Sequence, residues 1–260
     1  MFWKKKVNDE QFVQIEILPK RENKVIALAG NPNTGKSTIF NRLTGLKQHT
    51  GNWPGKTVTR AEGVFKIQDE EYTLIDLPGT YSLLSTSEDE EIARDFILFG
   101  NPDATVIVCD ASVLERNLNL AFQIMQITNR CILCVNLIDE AKRKGIEIDK
   151  DTLEKELGIP VILTNARSGE GIDELKEKIH LVSNRILKPK PIKIQHKKEI
   201  QEKLNQLVPL IEKTFPGLYA SEWIALRLLE GDLKIRKAIE QGNLLELINK
   251  GLINGNGELR

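Results

Sequence analysis

Lys36 and Ser37 close the run Gly30-Asn31-Pro32-Asn33-Thr34-Gly35-Lys36-Ser37. An apolar stretch precedes it at 25–29, and a helix-like stretch, 38–43, follows. Strand, then G-x-x-x-x-G-K-S, then helix is the setting a phosphate-binding loop needs. Glycines let the backbone fold tightly, and the N–H groups and helix N-terminus then face negative charge. In such a loop Lys36 reaches the β- and γ-phosphates, and the Ser37 hydroxyl holds Mg²⁺. Thr38 extends the cradle into the helix. A second candidate is Asp76-Leu77-Pro78-Gly79. Its carboxylate can hold Mg²⁺, and the Gly79 N–H can meet a γ-phosphate oxygen. Alone, D-x-x-G is explained as well by an Asx-type turn. The upstream phosphate loop favours the functional reading. Thr57, in the turn region with Gly55 and Lys56, is the preferred third Mg²⁺ ligand and γ-phosphate sensor. Thr50 and Thr59 are its rivals; Trp53-Pro54-Gly55 gives Thr57 a defined turn before it.

Asn136-Leu137-Ile138-Asp139 supplies base specificity. A carboxylate at Asp139 accepts from the N1–H and the exocyclic amine of guanine. Adenine offers no donor at either place, so the carboxylate would stay unpaired, which is costly. Asn136 is expected to brace the site. Leu137 stands where the common motif has Lys, which shortens the stem that stacks on the base. Thr164-Asn165-Ala166-Arg167 completes the pocket, with the Ala166 N–H expected on guanine O6. Asn165 replaces the usual Ser, a departure expected to loosen the base and speed exchange. Thr80 stands where Ras-like proteins carry a water-orienting Gln. Its hydroxyl is too short to reach an in-line water, so backbone groups of the 51–57 loop are expected to position it. Hydrolysis is then expected to be slow, about 10⁻³ to 10⁻² s⁻¹.

These side chains must be positioned by elements. The chain has 260 residues, 40% apolar, with 37 basic and 37 acidic side chains. That allows one or two domains with a real core, and its zero net charge argues against wrapping nucleic acid. Three cysteines and no signal peptide suit a reducing compartment. No uninterrupted apolar run approaches about 20 residues, so the chain is not expected to cross a membrane. Strands are expected at 24–29, 61–67, 72–77, 104–110, 131–137 and 161–163. Helices are expected at 38–44, 90–98, 114–128, 152–157 and 172–187. The glycines and proline between 46 and 60 argue for a loop without a regular element. Alternating strands and helices give an α/β domain with a mostly parallel sheet, whose ligand lies off the strands' C-terminal ends. Residues 188–191 (Lys-Pro-Lys-Pro) read as a linker. Beyond it the pattern is helical only, at 197–214, 220–229, 233–241 and 244–250, a bundle too small to be very stable alone. Residues 1–23 read as a loosely ordered extension with a basic cluster at 4–6 and a short edge strand at 12–17. Cys131 and Cys134 share one strand and face opposite sides, so they cannot hold one ion. His49 beside the loop is weak evidence for iron.

The pieces together resemble the cytosolic part of the bacterial ferrous iron transporter B (FeoB) family. The resemblance rests on Gly30–Asn33, Gly51-Asn52-Trp53-Pro54-Gly55-x-Thr57-Val58, Asp76-Leu77-Pro78-Gly79-Thr80-Tyr81-Ser82-Leu83, Leu114-Glu115-Arg116-Asn117-Leu118, Asn136-Leu137-Ile138-Asp139-Glu140-Ala141 and Leu228-Leu229-Glu230-Gly231-Asp232. It implies a Ras-like P-loop GTPase domain at 24–187 and an all-α spacer at 188–260. It also implies a ferrous-iron-transporting membrane domain beyond residue 260, regulated by slow GTP hydrolysis at the cytoplasmic face of the inner membrane. The fragment itself is expected to be soluble. GTP/GDP and Mg²⁺ are the implied cofactors. Small accessory Feo proteins and a second copy of the chain are candidate partners; nucleic acid is not. In related potassium-stimulated GTPases the Asn three before the Lys helps hold K⁺ against the phosphates, which makes Asn33 a candidate K⁺ ligand acting where an arginine finger acts. The competing reading is a soluble ribosome-assembly-type GTPase; the lack of a basic RNA-binding module speaks against it.

Overall fold

The computed structural model describes residues 23–46, 48–53, 56–84, 87–215, 218 and 220–240. Gly55, the expected strand at 12–17, the basic cluster at 4–6 and the expected helix at 244–250 lie outside the described residues.

Seven strands form one sheet in the order β2-β3-β4-β1-β5-β6-β7. They are β1 (Lys24–Gly30), β2 (Gln48–Asn52), β3 (Thr59–Ile67), β4 (Glu70–Asp76), β5 (Ala104–Asp110), β6 (Cys131–Asn136) and β7 (Val161–Leu163). From β4 through β7 every pairing is parallel; β3 runs antiparallel to both β2 and β4. The near-continuous apolar runs of β1, β5 and β6 follow from burial on both faces.

Period-two alternation sends successive side chains to opposite faces. Ile26, Leu28, Leu74, Val106, Val108 and Ile132 meet Ile39, Phe40 and Leu43 of α1 (Lys36–Thr44) and Leu175 and Ile179 of α6 (Ile172–Ser183). Ala27, Ile75, Ile107, Leu133 and Val135 face the other way. They pack with α2 (Glu88–Phe99), α3 (Leu114–Ile127), α4 (Ile138–Arg143) and α5 (Lys150–Leu157). Cys131 and Cys134 fall into these two separate cores, as their spacing requires.

The helices α7 (Lys198–Thr214), α8 (Ser221–Leu229) and α9 (Leu233–Glu240) follow. Leu204, Ile211, Trp223, Ile224 and Ile235 join the core that holds Phe96, Ile97 and Met125. The helical part therefore shares its hydrophobic core with α2 and α3, which offsets its small size. The connecting segment also lies against the sheet domain: Ile192 N–H donates to Leu157 O at 3.0 Å and Lys193 Nζ to Met125 O at 2.9 Å.

Three sequence expectations need correction. The 46–60 region contains β2, an edge strand held by its backbone ladder to β3 (His49 opposite Glu62, Thr50 opposite Ala61) and not by apolar burial. The helix expected at 172–187 ends at Ser183, because Arg185 adopts φ 61° and the N–H groups of Ile186 and Leu187 both turn back to Leu181 O. The strand expected at 131–137 stops at Asn136, since Leu137 enters the left-handed region (φ 64°) and starts the short helix α4.

Candidate functional site

The loop after β1, the β4 terminus, the β6 terminus and the loop after β7 meet at one edge of the sheet. β1 lies between β4 and β5, so the chain departs to both sides from that point, the usual place for a ligand in such sheets. In the first loop Asn33 (φ 66°) and Gly35 (φ 79°) are left-handed. Alternation of this kind curls successive N–H groups into a concavity. Helices α2 and α5 are capped by Ser87 and Asp149, whereas α1 starts at Gly35 with no side-chain cap. Its first N–H groups are thus left for an external acceptor.

Lys36 Nζ lies inside this concavity's wall, donating to Leu77 O at 2.7 Å and pairing closely with Asp76. Burial pushes the Asp76 carboxyl above its usual range, and Lys36 opposes that shift. Gly79 sits against Pro32: a Cβ there would come within 3.5 Å of the Pro32 backbone. Thr80 N–H donates to Gly30 O at 3.2 Å, and its hydroxyl donates to Ser82 O at 2.8 Å. The hydroxyl is thus engaged within its own turn.

Asn136 joins the phosphate side to the base side. Its Nδ2 donates to Thr34 O at 3.0 Å. Its Oδ1 accepts from Thr164 Oγ1 at 3.1 Å and from the Ala166 N–H at 3.0 Å. Gly35 has no Cβ because that position would fall on the Asn136 amide. Beyond Asn136, Ile138 is buried, and Asp139 stands in the first turn of α4 with 41% of its side chain exposed. The Ala166 N–H, expected free for a base, is here committed to Asn136. Within its loop Asn165 Oδ1 accepts from the N–H groups of Arg167 (3.2 Å) and Ser168 (3.4 Å).

Thr57, like Lys56, is an expected residue that the structure does not bring in. Its hydroxyl donates to Glu88 Oε2 at 3.4 Å on α2, and neighbouring Lys56 pairs with Glu88 (3.5 Å) and Glu91 (3.3 Å). Glu91 also binds Lys234 of α9 at 2.7 Å. Those two lysines hold the Glu91 carboxyl below its usual range. Trp53 anchors the same segment, edge-on to Phe96 at 5.5 Å between ring centroids, with Arg60 over its face. Ser37, Thr38 and Asn33 are exposed beside the loop.

Three contributions escaped sequence reading: the Arg42 bonds to the loop after β7, the Glu91 pairs and the Trp53 anchor. Asn31, expected in the phosphate cradle, has its amide buried with neither Nδ2 nor Oδ1 partnered among the described residues. No sequence signal marked Arg42 or Glu91. A tryptophan in a Gly/Pro-rich loop was the available hint for the Trp53 anchor.

A family model described as "Ferrous iron transport protein B" matches residues 24–179, and one described as "FeoB cytosolic helical domain" matches 196–254. The Fe(2+) transporter FeoB of Escherichia coli (strain K12) is 41% identical over 216 residues, covering 81% of this chain and 27% of that protein. The chain thus spans about a quarter of its curated relatives' length. The cytosolic domain of L. pneumophila FeoB superposes with a TM-score of 0.76 at 36% identity, covering 86% of this chain and 88% of that one. The cytosolic domain of the T. maritima FeoB iron transporter gives 0.75 in a GDP form (36% identity, 92% and 88% covered) and 0.74 in a GMPPNP form (37% identity, 91% and 88% covered). Relatives of this chain therefore bind guanine nucleotide at a G domain. With both family models laid end to end over its sheet domain and its helices, the chain belongs to the ferrous iron transport protein B family.

Proposed function

We propose that this chain binds GTP and hydrolyses it slowly, and so regulates ferrous iron uptake through an attached membrane domain at the cytoplasmic face of the bacterial inner membrane. The observation that carries this reading is the Asn136 amide, which ties the phosphate loop at Thr34 to the base loop at Thr164 and Ala166, with Asp139 exposed just beyond. Residues 24–187 form the GTPase unit and 188–260 the spacer that faces the membrane part.

When nucleotide enters, Lys36 exchanges Asp76 and Leu77 O for phosphate oxygens, while the loop N–H groups and Gly79 take the remaining charge. Asp139 reads the guanine N1–H and amine, and the Ala166 N–H is shared between Asn136 and O6. The Ser37 hydroxyl and the Asp76 carboxylate are hard oxygen donors of the kind Mg²⁺ takes. Mg²⁺ held by them would supply neutralisation of phosphate charge. Thr57 joins them once it leaves Glu88. Thr80 cannot orient water; Asn33 would be the residue to hold K⁺, which would supply the positive charge that an arginine finger supplies elsewhere. Phosphate release from GTP and ATP, compared in KCl and NaCl, tests the reading. GTP turnover should exceed ATP turnover and be faster in KCl, and Asn33→Ala should erase the salt difference. Equal GTP and ATP rates would overturn the guanine reading; equal rates in both salts would remove K⁺.

A further inference from the structure

We propose that Arg42 is a positioning residue for the base pocket, one that sets how long guanine nucleotide stays bound. Arg42 lies in the last turn of α1, the helix whose first residues are Lys36 and Ser37. Its guanidinium leaves its own helix and clamps the loop after β7. Nε donates to Ala166 O at 2.8 Å, and Nη2 donates to Arg167 O. Two consecutive carbonyls are therefore held by one planar fork, which suits arginine and no other side chain.

The loop's remaining polar groups turn the opposite way. The Ala166 N–H goes to Asn136 Oδ1, and the Arg167 and Ser168 N–H groups go to Asn165 Oδ1. Asn165 O accepts from Gly169 N–H at 2.9 Å, and Asn165 N–H donates to Glu170 O at 3.1 Å. N–H groups thus point inward and carbonyls outward onto Arg42. A peptide plane carries its N–H and C=O on opposite edges. Fixing the 166 and 167 carbonyls on Arg42 therefore fixes where the neighbouring N–H groups aim. Those N–H groups are the ones of Arg167 and Ser168, held by Asn165 Oδ1; the Ala166 N–H proposed for guanine O6 lies one peptide plane earlier, on the residue whose carbonyl Arg42 holds. Lys36 and Arg42 are six residues apart on one helix, about 9 Å along its axis. One rigid element then holds the phosphates at its start and the base loop at its end.

This inference rests on the proposed guanine-nucleotide binding, and the test separates the two. Dissociation of a ribose-labelled fluorescent GDP is measured by stopped flow on the full chain, for wild type, Arg42→Lys and Arg42→Leu. Losing both charged bonds should raise the off-rate roughly tenfold in Arg42→Leu. Lysine, a point charge that reaches one carbonyl, should give an intermediate rate. IDP keeps O6 but lacks the amine that Asp139 reads, so the GDP-to-IDP off-rate ratio should stay at its wild-type value. The GTP KM should rise with the off-rate while kcat moves much less. A wild type that binds no GDP refutes the proposed function. A wild type that binds, with an Arg42→Leu off-rate within twofold of it, overturns the Arg42 proposal, whatever the change in Tm. So does a shifted GDP-to-IDP ratio, which would place the effect at Asp139. If Arg42→Leu does not fold, Arg42→Lys alone decides, by a rise or no rise in off-rate.

Discussion

Replacing Asn136 with Ala should both destabilise the fold and weaken nucleotide binding, and the size follows from what the amide holds. Asn136 is 1% exposed, and its partners Thr34, Thr164 and Ala166 are 1%, 0% and 2% exposed. Alanine leaves the Thr34 carbonyl and the Ala166 N–H buried without their partner. Thr164 loses less, since its hydroxyl also lies 3.3 Å from Cys134 Sγ and 3.5 Å from Val135 O. Two orphaned buried groups, plus a weakened third, cost about 3–5 kcal/mol at roughly 1–3 kcal/mol each. That is a large share of the 5–15 kcal/mol typical of a folded domain. Urea unfolding followed by circular dichroism would read it as a lower midpoint with an unchanged slope. Thr164→Val should cost about 1 kcal/mol, and the double variant should cost less than the sum, because the two share one bond. An Asn136→Ala loss below about 1 kcal/mol, or strict additivity with Thr164→Val, would refute the idea that this amide couples the loops.

Two further outcomes come from other parts of the molecule. Gly35→Ala should abolish nucleotide binding and cost at least about 1–2 kcal/mol, because φ 79° disfavours a Cβ and that Cβ would meet the Asn136 amide; wild-type Tm and GDP titration would refute it. At the opposite edge of the sheet, hydrogen bonds from Tyr72, Asn184 and Lys24 lower the Glu70 carboxyl to about 2 from an ordinary 4.5. A lowered carboxyl stabilises the fold above its unfolded value and loses that contribution as pH falls toward the folded value. Wild-type stability should therefore drop between pH 4.5 and 2, and Glu70→Gln should flatten part of that slope; parallel slopes in the two proteins would remove the assignment.

The parts of the site legible in sequence are those whose chemistry is written in residue type at fixed spacing: the phosphate loop, Asp76 to Gly79, Asn136 to Asp139. The core strands were legible because burial on both faces leaves apolar runs at 106–109 and 161–163. What stayed hidden has a different physical basis. β2 carries no apolar period, since a solvent-facing edge strand is held by its ladder. The end of α6 was overrun because Ile186 and Leu187 continue the apolar rhythm after Arg185 has already turned the backbone. The role of Arg42 stayed hidden because its partners are backbone carbonyls 124 and 125 residues away, and a carbonyl leaves no mark in sequence.

The same blindness applies to the link between the nucleotide loop and the helices beyond the linker. Glu91 takes Lys56 from the loop before β3 on one side and Lys234 from α9 on the other. Pairs this exposed contribute little stability, roughly 0–1 kcal/mol each. Their consequence is geometric. On the proposed Mg²⁺ reading Thr57 would have to leave Glu88 to approach Asp76, and Lys56 is the adjacent residue in the chain. Withdrawing Lys56 leaves Glu91 to Lys234 alone. Trp53 on Phe96 ties the start of the same segment to α2, whose Ile97 and Leu98 are buried in the core that also holds Ile224 and Ile235. Trp53, Lys56 and the helical part thus meet on α2, through one shared carboxylate and one shared core.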